Sequence, residues 1–246
     1  MLAIIGGSGL TQLASLEGAR LHAASTPYGE ASGAITFGTL RGRPVMFLAR
    51  HGYGHTIPPH EINYRANVRA LKDAGATFIV SVASVGGIRA DLGPGTIVLP
   101  DQIIDYTWGR RSTYYEGGGV PVRHVDFTEP FSARLRGLLA QAASACGEVV
   151  KQGGVYATSQ GPRLETRAEI DRMERDGADL VGMTGMPEAV LARELDLEYA
   201  MIAVVVNHAA GRGDSAAGIR FEQLEAKLAE TLGRARRILD ELVLLT

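Results

Sequence analysis

Three polar side chains stand at the ends of predicted secondary-structure elements. Glu165 begins a predicted helix, Thr184 follows one apolar run and Asn207 follows another. A buried carboxamide without a partner costs about 1–3 kcal/mol, so Asn207 must bind a neighbouring group or a ligand. Glu165 also has a simpler explanation as a first-turn acid that the helix dipole favours. Taken together, the three residues predict a pocket on one side of a sheet.

Anion binding is the second kind of chemistry for which suitable groups follow predicted strands. The turn Gly6–Leu10 contains Ser8 and can offer backbone N–H groups and a hydroxyl to an oxyanion. Arg50 and His51 follow another strand and suit a phosphate dianion. Ser84 ends a third strand and could contact phosphate or a base. Each segment is equally explained as an ordinary turn or surface loop, so these residues alone leave the anion site open.

Two other kinds of site fit the sequence poorly. The glycines after the first strand lack the G-x-G-x-x-G spacing and the acidic residue about twenty positions later that a nicotinamide cofactor needs, which argues against an oxidoreductase. His51, His55 and His60 lie in one loop, but Glu61 is the only acidic residue beside them, so the pattern disfavours a metal site. We therefore expect no bound metal.

These residues need a scaffold, and the hydrophobic pattern predicts an α/β chain. Continuous apolar runs are typical of strands that are buried on both faces. Such strands are predicted at Leu2–Ile5, Ile35–Leu40, Val45–Ala49, Phe78–Ser84, Thr96–Pro100, Gly154–Thr158, Leu180–Met183 and Tyr199–Val206. Helical periodicity predicts helices at Glu61–Gly75, Phe131–Gly147, Glu165–Asp176, Pro187–Leu195 and Phe221–Leu244, the last being the clearest.

Composition limits the class of protein. The chain has 246 residues, of which 46% are hydrophobic and 21% are charged, as expected for one globular domain over residues 1–246. A net charge of -2 argues against a general nucleic-acid partner. The N-terminal apolar run is too short for a signal peptide or a membrane span, so we expect a cytoplasmic protein without a membrane partner. Cys146 is the only cysteine, which excludes a disulfide framework.

Several motifs together resemble one known family. The chain is similar to the trimeric purine nucleoside phosphorylases and methylthioadenosine phosphorylases of the nucleoside phosphorylase superfamily. The motifs that carry this resemblance are Gly6-Gly7-Ser8-Gly9-Leu10, Asn63-Tyr64-Arg65-Ala66-Asn67, Thr128-Glu129-Pro130-Phe131, Gly161-Pro162-Arg163, Met183-Thr184 and Pro187-Glu188. The resemblance implies a single-domain α/β sandwich with a mixed, distorted β-barrel core flanked by helices. It also implies a homotrimer with active sites near the subunit contacts.

The resemblance further implies a reaction, phosphorolysis, in which a nucleoside and phosphate give a free base and a pentose 1-phosphate. Inorganic phosphate is then a co-substrate, and neither a metal nor an organic cofactor is expected. The residues that would bind phosphate are Ser8, Arg50, His51, Ser84 and Thr184, and Met183 would lie under the ribose. Catalysis would consist mainly of positioning and of stabilising charge on the departing purine.

Three positions bear on the base. Members of the family that prefer adenine carry aspartate at the positions of Asn207 and Ala209, whereas members that prefer 6-oxopurines carry asparagine at the first and glutamate at the position of Glu165. A 6-oxopurine offers an N1–H donor to the carboxylate and an O6 acceptor to the amide N–H. Adenine would turn the lone pair of N1 toward Glu165, an unfavourable contact. Asn207 and Glu165 are thus the expected catalytic residues, and Leu164 stands where relatives often stack a phenylalanine beside the base.

The sugar site depends on Phe221. Nucleoside-specific relatives carry a histidine near the start of the last helix, where it meets the 5′-hydroxyl, and the matching position here is Phe221. An aromatic ring cannot bond a hydroxyl through its side chain but packs well against a methylthio group. The residues and the resemblance therefore predict phosphorolysis of S-methyl-5′-thioinosine. The alternatives are a general 6-oxopurine (inosine/guanosine) nucleoside phosphorylase, a methylthioadenosine phosphorylase and a non-catalytic nucleoside-binding protein.

Overall fold

Buried strands form the centre of the molecule. The computed structural model describes residues 1–13, 15–219 and 221–246, without the side chains of residues 221–226. Within these residues the strands are β1 (Leu2–Gly6), β2 (Glu17–His22), β3 (Ser25–Thr26), β4 (Gly29–Glu30), β5 (Ile35–Leu40), β6 (Arg43–Ala49), β7 (Phe78–Gly87), β8 (Ile97–Leu99), β9 (Gln102–Asp105), β10 (Lys151–Gln152), β11 (Val155–Thr158), β12 (Leu180–Gly182) and β13 (Glu198–His208). Eleven of them form one sheet, and β3 pairs with β4.

The large sheet is mixed and branches at β7. Its main path runs β10-β8-β13-β7-β1-β6-β5-β2, and β7 pairs in parallel with both β1 and β13. The last residues of β7, Gly86 and Gly87, pair antiparallel with β12, which in turn joins β11 and β9 to the sheet. This branch brings the end of β12 beside the ends of β7 and β13. Polar residues that follow these strands therefore meet at one edge.

Helices cover both faces of the sheet. They are α1 (Tyr64–Asp73), α2 (Ala133–Ala145), α3 (Arg167–Arg175), α4 (Gly185–Glu194) and α5 (Phe221–Leu242), with a 3-10 turn at Gly213–Ser215. Within β1, Ala3 and Ile5 belong to the core that includes residues of α1 and α4, whereas Leu2 and Ile4 belong to the core that includes residues of α2 and α5. Both faces of β1 are thus buried, which explains its continuous apolar run. The predicted α/β fold, with a large mixed sheet flanked by helices, is confirmed.

Capping sets where α3 begins. Thr166 is its N-cap, and Thr166 and Glu169 form a reciprocal capping box: the Glu169 N–H donates to the Thr166 hydroxyl at 3.1 Å, and the Thr166 N–H donates to Glu169 Oε2 at 2.7 Å. Glu165 therefore precedes the helix, and the prediction that it begins the helix is wrong. Because Glu169 is the first-turn acid, the helix dipole no longer explains Glu165.

The pattern missed the exposed and very short strands. Every residue of β2 is exposed, so no apolar periodicity marks it. The strands β9 and β10 contain no fully buried residue, so no long apolar run marks them. None of the described helices is long and apolar enough to span a membrane.

Candidate active site

A cavity of about 410 Å³ lies where β1, β6, β7, β12 and β13 end. It collects the residues that the sequence singled out from six separate segments. Those that line it are Ser8, Arg50, His51, Ser84, Leu164, Glu165, Met183, Thr184, Asn207 and Ala209. The side chain of Phe221 lies outside the described residues. The structure thus brings the predicted residues into one cavity, while the role of each stays a prediction.

The guanidinium of Arg50 lies at one end of this cavity and is fully buried. Its Nε and Nη2 donate to the two carboxylate oxygens of Glu188 at 2.8 and 3.0 Å. Nη2 also donates to Ser81 Oγ at 2.5 Å, and Nη1 donates to the Val82 carbonyl at 3.1 Å. Since arginine has five N–H donors, one on Nη1 remains for a ligand. A Cβ on Gly7 would lie 2.7 Å from Nη1, so this position needs glycine.

Glu188 compensates the charge of Arg50. Both side chains are fully buried, and Glu188 also accepts a hydrogen bond from the Tyr199 hydroxyl at 2.8 Å. Burial by itself lowers the pKa of Arg50, but the Glu188 carboxylate outweighs it and raises the pKa, so the guanidinium stays charged. In the sequence, Glu188 was indicated only by a family motif. Its partner, Arg50, is distant along the chain, so no local pattern relates the two residues.

His51 is held as a neutral imidazole. Its Nδ1 lies 2.8 Å from the Ile57 carbonyl, and a carbonyl can only accept, so Nδ1 carries the proton. Burial and the nearby charge of Arg50 lower the pKa of His51 to about 4. At neutral pH its Nε2 is therefore an acceptor. The ring of His55 packs against it with centroids 4.6 Å apart, and His55 Nε2 lies 3.4 Å from Ser8 Oγ.

Hydroxyl groups complete this end of the cavity. Ser84 Oγ is buried and has no hydrogen-bond partner among the described residues, so a ligand at this point would satisfy it. Thr184 is 5% exposed, and its side chain makes no hydrogen bond that caps α4. In the N-terminal turn, the Gly7 N–H donates to the Val82 carbonyl and is not available to an anion. From that turn, the Ser8 hydroxyl reaches the cavity instead.

Glu165 forms another part of the cavity wall. Its Oε1 accepts a hydrogen bond of 2.5 Å from the hydroxyl of Ser159, a residue that the sequence did not single out. Burial raises the pKa of Glu165, and the hydrogen bond from Ser159 partly offsets that effect. Ser159 lies six residues before Glu165, and no local sequence pattern marks it as a partner of that carboxylate.

A bulge in β13 directs Asn207 into the same region. The register of β13 against β7 shifts between Val205 and Asn207, and both Val206 and Asn207 line the cavity, which strict alternation along a strand would not allow. The amide is oriented so that Nδ2 donates to the His208 carbonyl at 2.6 Å. One N–H and the carbonyl oxygen of the amide remain for a ligand.

Apolar side chains form the middle and the mouth of the cavity. Met183 packs so closely against Gly161 that a Cβ there would lie 2.5 Å from the Met183 sulfur. Leu164 is 36% exposed at the mouth. Ala209 is buried, and Ile219, which the sequence did not suggest, lines the cavity shortly before α5.

Arg110 joins the two loops that carry these residues. Its Nη1 donates to the carbonyl oxygens of Met183 at 2.8 Å and Met186 at 2.6 Å, and its Nη2 donates to the carbonyl of Gln160 at 2.9 Å. The loop after β11 and the loop after β12 are thereby held together. No pattern in the sequence marks Arg110, because its partners are backbone atoms.

The arrangement can bind an anion at one end and a planar ring with both donors and acceptors at the other. An arginine N–H and three hydroxyls suit the anion, and a carboxylate and a carboxamide suit the ring. Among the described residues, no group of three or more His, Cys, Asp or Glu side chains could hold a metal ion.

The chain is similar to known proteins along most of its length. A family model described as the phosphorylase superfamily matches residues 1–244. A probable S-methyl-5′-thioinosine phosphorylase of Xanthomonas campestris pv. campestris is 55% identical over 87% of this chain and 86% of the relative. A 6-oxopurine nucleoside phosphorylase of Pyrococcus furiosus is 46% identical over 85% of this chain and 80% of the relative.

A solved structure shares the fold over almost the whole chain. The methylthioadenosine phosphorylase of Schistosoma mansoni in complex with adenine superimposes with a TM-score of 0.91 at 35% identity, covering 99% of this chain and 91% of that one. The match to the family model and the identity to curated relatives each extend over most of the chain. This chain therefore belongs to the phosphorylase superfamily.

Proposed function

We propose that this protein catalyses the phosphorolysis of S-methyl-5′-thioinosine to hypoxanthine and 5-methylthioribose 1-phosphate. The observation that carries the proposal is that Glu165, Asn207, Arg50 and the unpaired hydroxyl of Ser84 line one cavity. The relative of Xanthomonas campestris, 55% identical, has a name that states the same activity. The protein is accordingly a pentosyltransferase.

The phosphate end of the cavity is arranged for a nucleophile that carries negative charge. The free N–H of Arg50 and the hydroxyls of Ser8, Ser84 and Thr184 donate to phosphate oxygens, and the neutral imidazole of His51 accepts from a protonated one. Because Glu188 cancels the charge of Arg50, directed hydrogen bonds rather than net charge hold the anion.

The bond changes are those of a single displacement at the anomeric carbon. A phosphate oxygen forms a bond to C1′ of the pentose while the bond from C1′ to N9 of the purine breaks. The electron pair of the broken bond goes to the purine, whose charge spreads to N7 and O6. The free N–H of Asn207 donates to O6, and the departing base takes a proton from solvent.

The base end favours a 6-oxopurine. Ionised Glu165 accepts the N1–H of such a base, and Asn207 donates to O6. Adenine presents a lone pair at N1, which an ionised carboxylate rejects. The fold of the adenine-bound Schistosoma mansoni enzyme is shared, so the base is chosen by these side chains and by Ala209 rather than by the fold.

The sugar end supports an apolar 5′ substituent. Ile219 lines the cavity, and an aliphatic side chain packs against a methylthio group but offers no hydrogen bond to a hydroxyl. Phe221, the residue on which the sequence argument rested, lies close by in the chain, with its side chain outside the described residues.

A general 6-oxopurine nucleoside phosphorylase is the second candidate. The relative of Pyrococcus furiosus has that name, and Glu165 and Asn207 would serve such substrates equally well. The two candidate activities differ only in the 5′ group of the nucleoside substrate. Inosine and its 5′-methylthio analogue, compared with the same protein, therefore separate them.

A homotrimer is part of the proposal. Trp108 and Val122, in the long loop before α2, are 73% and 72% exposed, and exposed large apolar side chains of this kind support a subunit contact. Light scattering on the purified protein measures the assembly, and a monomer would contradict a trimer. The cytoplasmic location expected from the sequence stays a prediction.

The reaction is tested by incubating the protein with S-methyl-5′-thioinosine, with and without phosphate, and measuring hypoxanthine and the pentose 1-phosphate. We expect both products in equal amounts and only when phosphate is present. Release of hypoxanthine without phosphate would indicate hydrolysis instead. Tight binding of the nucleoside with no turnover would favour a non-catalytic binding protein.

A further inference from the structure

Glu165 separates two cavities. Besides the substrate cavity, it lines a second cavity of about 440 Å³, whose wall also includes Ser159. A proton from solvent can therefore reach the carboxylate through the second cavity while a substrate occupies the first. The protonation state of Glu165 is thus free to change during binding.

Ser159 is the polar group that holds this carboxylate. Its side chain is 7% exposed, and its Oγ lies 2.5 Å from Glu165 Oε1 and 3.4 Å from the Gly182 carbonyl. A hydroxyl has one proton to donate, and the shorter distance assigns it to the carboxylate. A hydrogen bond donated to a carboxylate favours its ionised form and fixes its orientation.

In the described part of the chain, no cationic side chain replaces Ser159 as the partner of the Glu165 carboxylate. Among the described residues no lysine, arginine or histidine forms an ion pair with Glu165. Arg163, in the preceding loop, pairs with Glu169 of α3 at 2.7 Å. Asp105 of β9 and Arg172 of α3 line the second cavity.

The other walls are largely uncharged near the base end. The residues of β7, β12 and β13 that line the substrate cavity carry no charge, and Arg50, His51 and His55 lie at the phosphate end. Burial raises the pKa of Glu165, and the hydrogen bond from Ser159 opposes this rise. The hydrogen bond from Ser159 therefore favours the ionised form of the carboxyl group.

Building on the proposed function, we infer that Ser159 is a positioning residue that makes Glu165 select 6-oxopurines, and that protonation of Glu165 opens the same site to 6-aminopurines. Ionised Glu165 accepts N1–H of a 6-oxopurine. Protonated Glu165 donates its O–H to the N1 lone pair of a 6-aminopurine, and Asn207 can turn its carbonyl oxygen toward the exocyclic amine. One proton, taken from solvent, distinguishes the two states.

The test compares kcat/KM for methylthioadenosine and methylthioinosine between about pH 5 and pH 8, a range over which the ionisation of buried carboxyl groups changes. The ionisation of phosphate affects both substrates and cancels in the ratio of the two values. The wild type, Ser159→Ala and Thr158→Val are measured. Thr158 is the matched control, since its buried hydroxyl has no partner among the described residues.

We expect the ratio of methylthioadenosine to methylthioinosine to rise as the pH falls, by up to about tenfold per pH unit. Ser159→Ala should raise the ratio by about tenfold at each pH, since it removes a hydrogen bond to a charged group. Thr158→Val should leave the ratio unchanged. Thermal unfolding of each variant checks that it is folded.

A ratio that is flat with pH in the wild type would overturn the inference without any variant. A ratio in Ser159→Ala equal to that of the wild type at each pH would overturn it as well. Both ratios can be measured only if the protein turns over methylthioinosine. No turnover of methylthioinosine at any pH would instead overturn the proposed function, and this inference with it.

Discussion

The buried pair of Arg50 and Glu188 predicts opposite effects on stability and on phosphate binding. In Glu188→Gln the amide keeps the shape of the side chain but loses its charge, so the guanidinium of Arg50 stays buried without compensation. Three hydrogen bonds to Glu188 are affected, two from Arg50 and one from Tyr199. We therefore expect a less stable protein that binds phosphate more tightly.

The size of the loss follows from burial. Both partners are 0% exposed, and removing one partner of such a pair costs about 3–5 kcal/mol. For a chain of this length, each kcal/mol shifts Tm by about 2–4 °C, so we expect Tm to fall by about 6–20 °C. A phosphate dianion beside Arg50 then replaces part of the missing negative charge.

The assay is thermal unfolding with increasing phosphate, together with KM for phosphate. Ligand stabilisation follows RT ln(1 + [L]/Kd), so tighter binding appears as a larger rise of Tm with phosphate in the variant than in the wild type. Asp73→Asn is the control, because the pair of Arg69 and Asp73 is 34% and 47% exposed. Loss of such an exposed pair costs at most about 1 kcal/mol.

Two results would contradict the role given to charge compensation between Arg50 and Glu188. If Glu188→Gln lowers Tm no more than Asp73→Asn does, the buried pair does not stabilise the fold as its geometry indicates. If the variant is less stable but binds phosphate more weakly, Glu188 acts by orienting Arg50 and charge compensation is not the dominant effect. Circular dichroism at low temperature confirms that the compared proteins are folded.

Three further predictions concern single residues of the cavity. Asn207→Asp should lower kcat/KM for methylthioinosine by about ten- to a hundredfold and increase turnover of methylthioadenosine, and unchanged base preference would show that the base binds elsewhere. Ser84→Ala should raise KM for phosphate by about tenfold with little change in Tm, because its hydroxyl has no protein partner among the described residues. The folded protein should lose stability as the pH falls from 6.5, the ordinary pKa of histidine, to about 4, since unfolded His51 takes up a proton that folded His51 does not. His51→Asn should flatten the corresponding decline of Tm, and an unchanged slope would assign it to other groups.

The sequence predicted those parts of the fold that follow from local apolar patterns. Strands with both faces buried, such as β1 and β13, stand out as apolar runs, and α1 to α5 lie within a few residues of their predicted bounds. The exposed β2 has no such pattern and was missed. The start of α3 was misplaced because the capping box between Thr166 and Glu169 was not recognised, which also left the helix dipole as an alternative explanation of Glu165.

The candidate site was predicted from polar residues at the ends of predicted elements and from the family resemblance. Asn207 and Arg50 could be found in this way, since a polar group after an apolar strand is unusual. Ser159, Glu188 and Arg110 act through partners that the fold brings close. Arg50 and Glu188, for instance, are 138 positions apart in the chain, and no local pattern relates them.

The specificity of the protein for the base and for the 5′ group of its substrate can be tested in one comparison. It is the relative kcat/KM of S-methyl-5′-thioinosine, inosine and methylthioadenosine with saturating phosphate at neutral pH. We predict that S-methyl-5′-thioinosine has the highest value, with inosine lower because of its 5′-hydroxyl and methylthioadenosine lower because of its 6-amino group. A higher value for methylthioadenosine than for S-methyl-5′-thioinosine would contradict the role given to Glu165 and Asn207.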